Sequence, residues 1–195
     1  MNVKKHYNKQ AVNYDSKLLK KIFSKWVIKE ENIFKKKINI KKNQIVLDIG
    51  CGEGKYSQII EKMGGIPYGI DISSEMIKQY KNKGFEGKIN NILYYTINKK
   101  YDKVICIGSL EFITNTNKAL NNISKLLKKE SEFILLYPRL TLSGILYKLY
   151  HLKNKININL FTIKKIENLL QKNNMKIIKS IKIHSFAQFL IIKLK

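Results

Sequence analysis

Only two cysteines, two prolines, one tryptophan and one arginine occur among the 195 residues of this chain. The cysteines, Cys51 and Cys106, are too few for a disulfide framework and lack metal-site spacing, so no metal is expected. A reducing, cytosolic setting follows, with both thiols packed as small apolar groups. Long apolar runs are also missing. Stretches such as Phe133 to Leu136 and Phe189 to Ile192 fall far short of the roughly 18 residues of a membrane span. No apolar run follows Lys4 and Lys5, so no signal peptide is read there. Neither a Pro-, Gly- or Ser-rich linker nor an internal repeat divides the chain, and one domain over residues 1–195 is expected.

Acidic residues are scarce as well: 14 stand against 38 Lys and Arg, for a net charge of +24. Two readings of this charge are open. It is either the solvated face of a composition rich in Lys, Asn and Ile, or a field that draws anionic partners such as nucleic acid. The lysines are spread along the whole chain rather than gathered into one arm or stripe.

What is present is alternation. A lysine-studded helix is predicted near residues 16–37, then strands at 44–49, 66–70, 88–91, 103–107 and 132–137. Helices are predicted between them at 53–62, 73–83 and 117–128, the second with a serine cap, and an apolar segment follows at 144–152. A helix at 162–173 leads to two closing strands, 176–183 and 187–193, joined around His184 and Ser185. Strands alternating with helices imply an α/β, doubly wound, parallel sheet. The closing pair leaves no room for a crossover helix and is expected as an antiparallel hairpin.

The densest local signal is Val46-Leu47-Asp48-Ile49-Gly50-Cys51-Gly52-Glu53-Gly54, a strand entering a glycine turn and then a helix. Glycines there let the backbone bend and a ligand approach closely. A dinucleotide fingerprint wants a further glycine at position 55, where Lys55 stands. A phosphate-binding P-loop wants Ser or Thr after Gly-Lys and a glycine five residues earlier, where Tyr56 and Ile49 stand. Asp48 and Glu53 flank the turn and would repel a pyrophosphate; they suit a ligand carrying an ammonium and a sulfonium. Asp71, at the end of the next strand, is placed to accept both hydroxyls of a ribose. The other reading of Asp71 is a helix cap.

These residues carry a resemblance. Val46 to Met76 resembles motif I and the following acidic motif of the class I S-adenosylmethionine-dependent methyltransferases, and Tyr101 to Ile113 and Leu126 to Pro138 resemble the family's fourth- and fifth-strand regions. The resemblance implies a Rossmann-like, mostly parallel seven-stranded sheet with an antiparallel C-terminal hairpin, and S-adenosyl-L-methionine as cofactor. It implies that Gly50, Gly52 and Gly54 line the methionine part, that Asp48 holds the ammonium directly or through water, and that Asp71 binds the ribose. Ile72, Asn91 and Ile92 fall beside the adenine, and Gly108 beneath the transferring methyl group. Tyr7 and Tyr14 are read either as lid residues over the cofactor or as ordinary packing aromatics. In these terms residues 1–42 form a helical lid or substrate segment, 43–138 the cofactor half, and 139–195 the acceptor side.

The acceptor is less defined. Ile107-Gly108-Ser109-Leu110 lacks the Asn/Asp-Pro-Pro-Tyr of nucleobase amine methylation and is similar to the small-molecule branch, whose Leu-Glu-His reads Leu110-Glu111-Phe112 here. Among His6, His151 and His184, His151 is the candidate base because it follows the apolar segment, a place where the family builds acceptor pockets. Arg139 is read as a clamp for an acceptor carboxylate or phosphate, or as a surface residue. The closing residues faintly resemble O-methyltransferases acting on magnesium-porphyrin carboxylates. Methyl transfer to a small, apolar or anionic acceptor at oxygen is therefore expected, needing proximity, orientation and exclusion of water. An RNA or protein acceptor, a non-catalytic cofactor-binding role and a peripheral membrane contact by the apolar segment are the other readings.

Overall fold

The computed structural model describes residues 3–4, 24–153 and 155–195. Helix α1 spans Ser24–Lys37, and residues 16–23 of the predicted amino-terminal helix lie outside the described residues, as do Tyr7 and Tyr14. The chain then alternates through β1 (Ile45–Ile49), α2 (Lys55–Lys62), β2 (Ile66–Asp71), α3 (Ser74–Asn82), β3 (Glu86–Ile89) and β4 (Tyr101–Ile107). A short 3-10 turn, Leu110–Phe112, precedes α4 (Thr116–Leu126), β5 (Leu127–Pro138), α5 (Leu142–Lys153), α6 (Ile163–Lys172), β6 (Met175–Lys182) and β7 (Ala187–Leu194). The seven strands form one sheet in the order β3-β2-β1-β4-β5-β7-β6. All neighbours through β5 pair in parallel, and β7 runs antiparallel between β5 and β6.

The pattern of burial explains the sheet. Central strands covered on both faces must be apolar at successive positions, and β1 is buried from Val46 to Ile49 despite the aspartate within it. Alternate side chains serve opposite faces. Leu47, Val104, Cys106, Phe133 and Leu135 pack with α4 and α6 through Leu120, Ile123, Ile166 and Leu170. Val46, Ile105, Ile134 and Leu136 face the other way, toward Phe34 of α1 and Ile59 and Ile60 of α2. The helices start where the sequence provides an acceptor for free amides: Ser73, Asn115 and Thr162 each accept a hydrogen bond from the backbone N–H three residues on.

Three differences from the sequence reading have a local cause or consequence. β3 ends at Ile89, because Asn91 leaves the strand and its Oδ1 accepts a hydrogen bond from the Leu93 amide. α4 stops at Leu126 and β5 begins at once, since Leu127 pairs with Tyr101 across a register irregularity. There the Ser131 hydroxyl donates to the Tyr101 carbonyl and accepts from the Lys128 amide. The apolar segment after β5 is helical throughout, as α5, and leaves Leu142, Leu146 and Leu149 exposed. Among the described residues no helix is long and apolar enough to cross a membrane.

Candidate functional site

Strand order reverses between β1 and β4, the place where a doubly wound sheet opens a crevice at the carboxyl ends of its strands. A cavity of about 440 Å³ occupies that crevice. Its floor is the glycine turn after β1. The Gly50 and Cys51 amides both donate to the Ile70 carbonyl, and Gly50 and Gly52 adopt left-handed φ values of 69° and 53°. Asp71, at the tip of β2, ties this turn down: Oδ2 accepts from the Gly52 amide at 3.0 Å and Oδ1 from the Ser73 amide at 2.8 Å. The cap of α3 is Ser73, so the Asp71 carboxylate faces the turn instead. Burial raises the Asp71 pKa, against the pull of the backbone amides of Ser73, Gly52 and Ile72.

The structure brings most of the expected cofactor residues together. Gly50, Gly52, Asp71 and Ile72 line one end of the cavity, and Asn91, Ile92 and Gly108 continue its wall. Two others lie beneath it. Gly54 is the left-handed residue before α2, and a Cβ there would press on Tyr80 and Phe85 at 3.0 to 3.2 Å, so it serves helix packing. Asp48 is 3% exposed and does not line the cavity; its Oδ2 accepts from the Ser57 hydroxyl at 2.9 Å, which in turn bonds Tyr80.

Burial, eased by the Ser57 bond and reinforced by the charge of Asp71, pushes the Asp48 pKa up to about 7. The unfolded value is about 3.9, so between the two the folded chain binds more protons than the unfolded chain. Stability contributed by this group therefore falls as pH rises from about 4 to about 7, by at most roughly 1.4 kcal/mol per pH unit. Asp48→Asn is expected to flatten that slope and to raise the melting temperature at pH 8, which thermal melts across pH will read.

The other end of the cavity is aromatic and acidic. Trp26 and Glu30 of α1 face Glu111 and Phe112, Tyr147 of α5, and His184 and Phe186 of the β6–β7 hairpin. His184 Nε2 and Glu30 Oε1 lie 2.8 Å apart, and the Trp26 ring stacks on His184 with centroids 5.0 Å apart. Phe186 meets Trp26 edge-on and stacks on Tyr147. Glu111 is 2% exposed, and its Oε2 has no hydrogen-bond partner among the described residues. Burial, with the charge of Glu30 adding to it, pushes the Glu111 pKa up to about 8.

The two expected acceptor residues are placed elsewhere. His151 is buried behind the wall, edge-on to Phe112, Tyr147 and Tyr150. Arg139 does not line the cavity; its guanidinium donates to the carbonyls of His184 and Ser185. It braces the hairpin that carries His184 and Phe186. Arg139→Ala is thus expected to lower stability by about 1–3 kcal/mol and to weaken acceptor use, while calorimetry shows cofactor affinity unchanged. Glu111, Trp26, Glu30 and Phe186 are site residues that sequence reasoning missed. A lone acid inside Leu110-Glu111-Phe112-Ile113 was the available signal, since a charge in an apolar run is costly unless used.

A family model described as a methyltransferase domain matches residues 40–186, three quarters of the chain. This chain belongs to the methyltransferase-domain family. An uncharacterized protein of Methanocaldococcus jannaschii is 33% identical over 183 residues, covering 93% of this chain and 66% of that protein. A methyltransferase candidate of Invertebrate iridescent virus 6 is 33% identical over 150 residues, covering 74% and 49%. The chain thus spans between about a half and two thirds of the length of these relatives. The ubiquinone biosynthesis O-methyltransferase of Coxiella burnetii is 30% identical over 94 residues, 45% of this chain and 40% of that enzyme. Among solved structures, the fold matches a chain in the complex of the Haloferax volcanii Trm112 methyltransferase activator with its methyltransferase candidate, at TM-score 0.81, 11% identity and 96% coverage of both chains. It also matches the magnesium protoporphyrin IX methyltransferase of Synechocystis with bound SAH, at TM-score 0.67 and 18% identity, covering 97% and 84%. The seven-stranded mixed sheet with its antiparallel closing hairpin is the expected Rossmann-like fold.

Proposed function

We propose that this chain binds S-adenosylmethionine in the crevice and transfers its methyl group to a small-molecule acceptor, at an oxygen nucleophile. The observation that carries the reading is the glycine turn tied to Asp71. A Cβ at Gly52 would meet nothing nearer than the Met76 sulfur at 3.9 Å, so the turn leaves a cradle open over the cavity. The donor chemistry also fits. Asp71 offers a carboxylate to ribose hydroxyls, and Ile72, Ile92 and Leu93 offer apolar surface to an adenine ring. Glu53 and Asp71 favour a ligand with ammonium and sulfonium charge. When bound, the cofactor supplies an electrophilic methyl group on a positively charged sulfur. The chain itself supplies orientation and a largely apolar enclosure that excludes water. The O-methyltransferase names of the Coxiella relative and of one structural neighbour, a mitomycin 7-O-methyltransferase, support oxygen as the acceptor atom. Both cysteines are buried free thiols, which suits a reducing, cytoplasmic setting.

The test is calorimetric titration with S-adenosylmethionine and its demethylated product, followed by mass spectrometry of extracted metabolites incubated with chain and cofactor. Micromolar binding and a metabolite heavier by one methyl group are expected. Absence of binding by the folded chain overturns the reading. A nucleic-acid or acidic-protein acceptor has one observation in its favour, the net charge of +24. Methyl transfer to RNA alone, with steep salt dependence, would replace the small-molecule reading.

A further inference from the structure

Charge is distributed between the cavity and the rest of the molecule in opposite senses. Among the described residues, four acidic side chains line the cavity, but only one lysine and no arginine does. That one, Lys55, is paired with Glu31 at 2.7 Å. At the aromatic end the acidic groups are Glu30, held by His184, and Glu111. Such a chamber repels carboxylates and phosphates and receives flat, neutral, apolar molecules between Trp26, Phe112, Tyr147 and Phe186. Its one fully buried side-chain polar atom without a hydrogen-bond partner among the described residues, besides His184 Nδ1, is Glu111 Oε2. A buried acceptor left open in this way costs free energy unless a ligand satisfies it.

We propose that Glu111 is the catalytic base for a neutral aromatic hydroxyl acceptor seated in this chamber. The inference rests on the cofactor reading above. The acceptor oxygen forms a bond to the methyl carbon as the carbon–sulfur bond breaks; the sulfur keeps that electron pair and becomes a neutral thioether. The hydroxyl proton passes to Glu111 Oε2 and from there to solvent after product leaves. A carboxylate whose pKa lies near 8 stands within about two units of an ordinary phenol near 10, close enough for efficient transfer. Its titratable neighbours are Glu30 on α1, His184 on the hairpin and Cys106 on β4, whose thiol burial pushes up to about 12 and keeps neutral. His151 packs against Phe112 on the far side.

Trp26 is the only tryptophan of the chain, so its fluorescence reports occupancy of the chamber. The experiment titrates the chain, saturated with S-adenosylhomocysteine, with a set of simple phenols, their carboxylate-bearing analogues and the matching anilines. Methyl transfer to the same probes is then followed against pH. Phenols are expected to quench Trp26 saturably and their carboxylate analogues to bind at least about tenfold more weakly. kcat/KM should rise with pH through a midpoint near pH 8, following the ionisation of Glu111, and level off about one unit above it. Glu111→Gln, which preserves shape, should lose about 100-fold in kcat, lose the pH limb, and bind S-adenosylhomocysteine as the wild type does; Glu111→Asp should recover part of the rate. Equal binding of carboxylates, turnover of anilines with no phenol bound, or a Glu111→Gln rate within threefold of wild type would each overturn the proposal. If S-adenosylhomocysteine itself fails to bind in calorimetry, the cofactor reading has failed first and this inference falls with it.

Discussion

Asp71→Ala is expected to abolish measurable binding of S-adenosylmethionine while leaving a folded chain. Two separate losses combine. The carboxylate is the ribose acceptor in the proposed complex, and hydrogen bonds to a charged acceptor contribute about 1.5–3 kcal/mol each. Two such bonds correspond to roughly a 10²- to 10⁴-fold loss of affinity. The same carboxylate holds the Gly52 amide at 3.0 Å and the Ser73 amide at 2.8 Å, so removing it also unties the glycine turn. Asp71→Asn separates the two. Its amide oxygen still accepts from one backbone N–H, but its NH₂ faces the other and cannot accept from a ribose hydroxyl. The asparagine variant, with one of the two amides left without its acceptor, should melt between Asp71→Ala and wild type and still bind cofactor at least about tenfold more weakly than wild type. Calorimetry beside a thermal melt decides. Affinity within threefold of wild type in Asp71→Ala would remove this residue, and with it the cofactor reading of the crevice.

Much of this site was legible because its signals are local. Gly50 and Gly52 are spaced by the requirements of a strand-to-helix turn, and Asp71 ends the next strand, so both follow from alternation and turn chemistry alone. The closing hairpin was legible for a similar reason: too few residues separate β6 from β7 for a crossover. Asp48 shows where locality misleads. It stands at the family's acid position, yet β1 turns its side chain beneath the sheet surface, toward Ser57 and Tyr80. Gly54 likewise looks like a ligand-facing glycine and instead clears space for Tyr80 and Phe85.

The acceptor end was not legible, because its wall is assembled from residues far apart in the chain. Glu30 and His184 are 154 positions apart and meet only when α1 and the hairpin fold onto the same side of the sheet. His151 has the sequence position of a base but is carried behind Phe112 by the turn of α5. Arg139 follows β5 directly, and its length lets it reach the carbonyls of His184 and Ser185 across the hairpin. No periodicity reports such meetings. Tertiary contact decides them.

The glycine turn gives the second large effect, and two of its members are expected to fail in different ways. A Cβ at Gly50 would lie 2.5 Å from the Ser109 Cβ and 2.7 Å from its hydroxyl. That hydroxyl donates to the Ile49 carbonyl and joins the β4 loop to β1. Gly50→Ala therefore combines left-handed strain with a clash, and a loss of about 2–5 kcal/mol in stability is expected. At Gly52 the added atoms meet open space, and the space is the cavity. Gly52→Val should keep most of the fold and lose cofactor affinity by at least about 100-fold. Backbone strain alone is controlled by Gly84, which has φ of 87°, nothing within 4 Å of its Cβ position and no place in the cavity wall. Gly84→Val should show comparable destabilisation with cofactor affinity intact. If Gly52→Val and Gly84→Val bind S-adenosylmethionine equally well, the ligand does not lie over the glycine turn, and the crevice must be occupied in some other way.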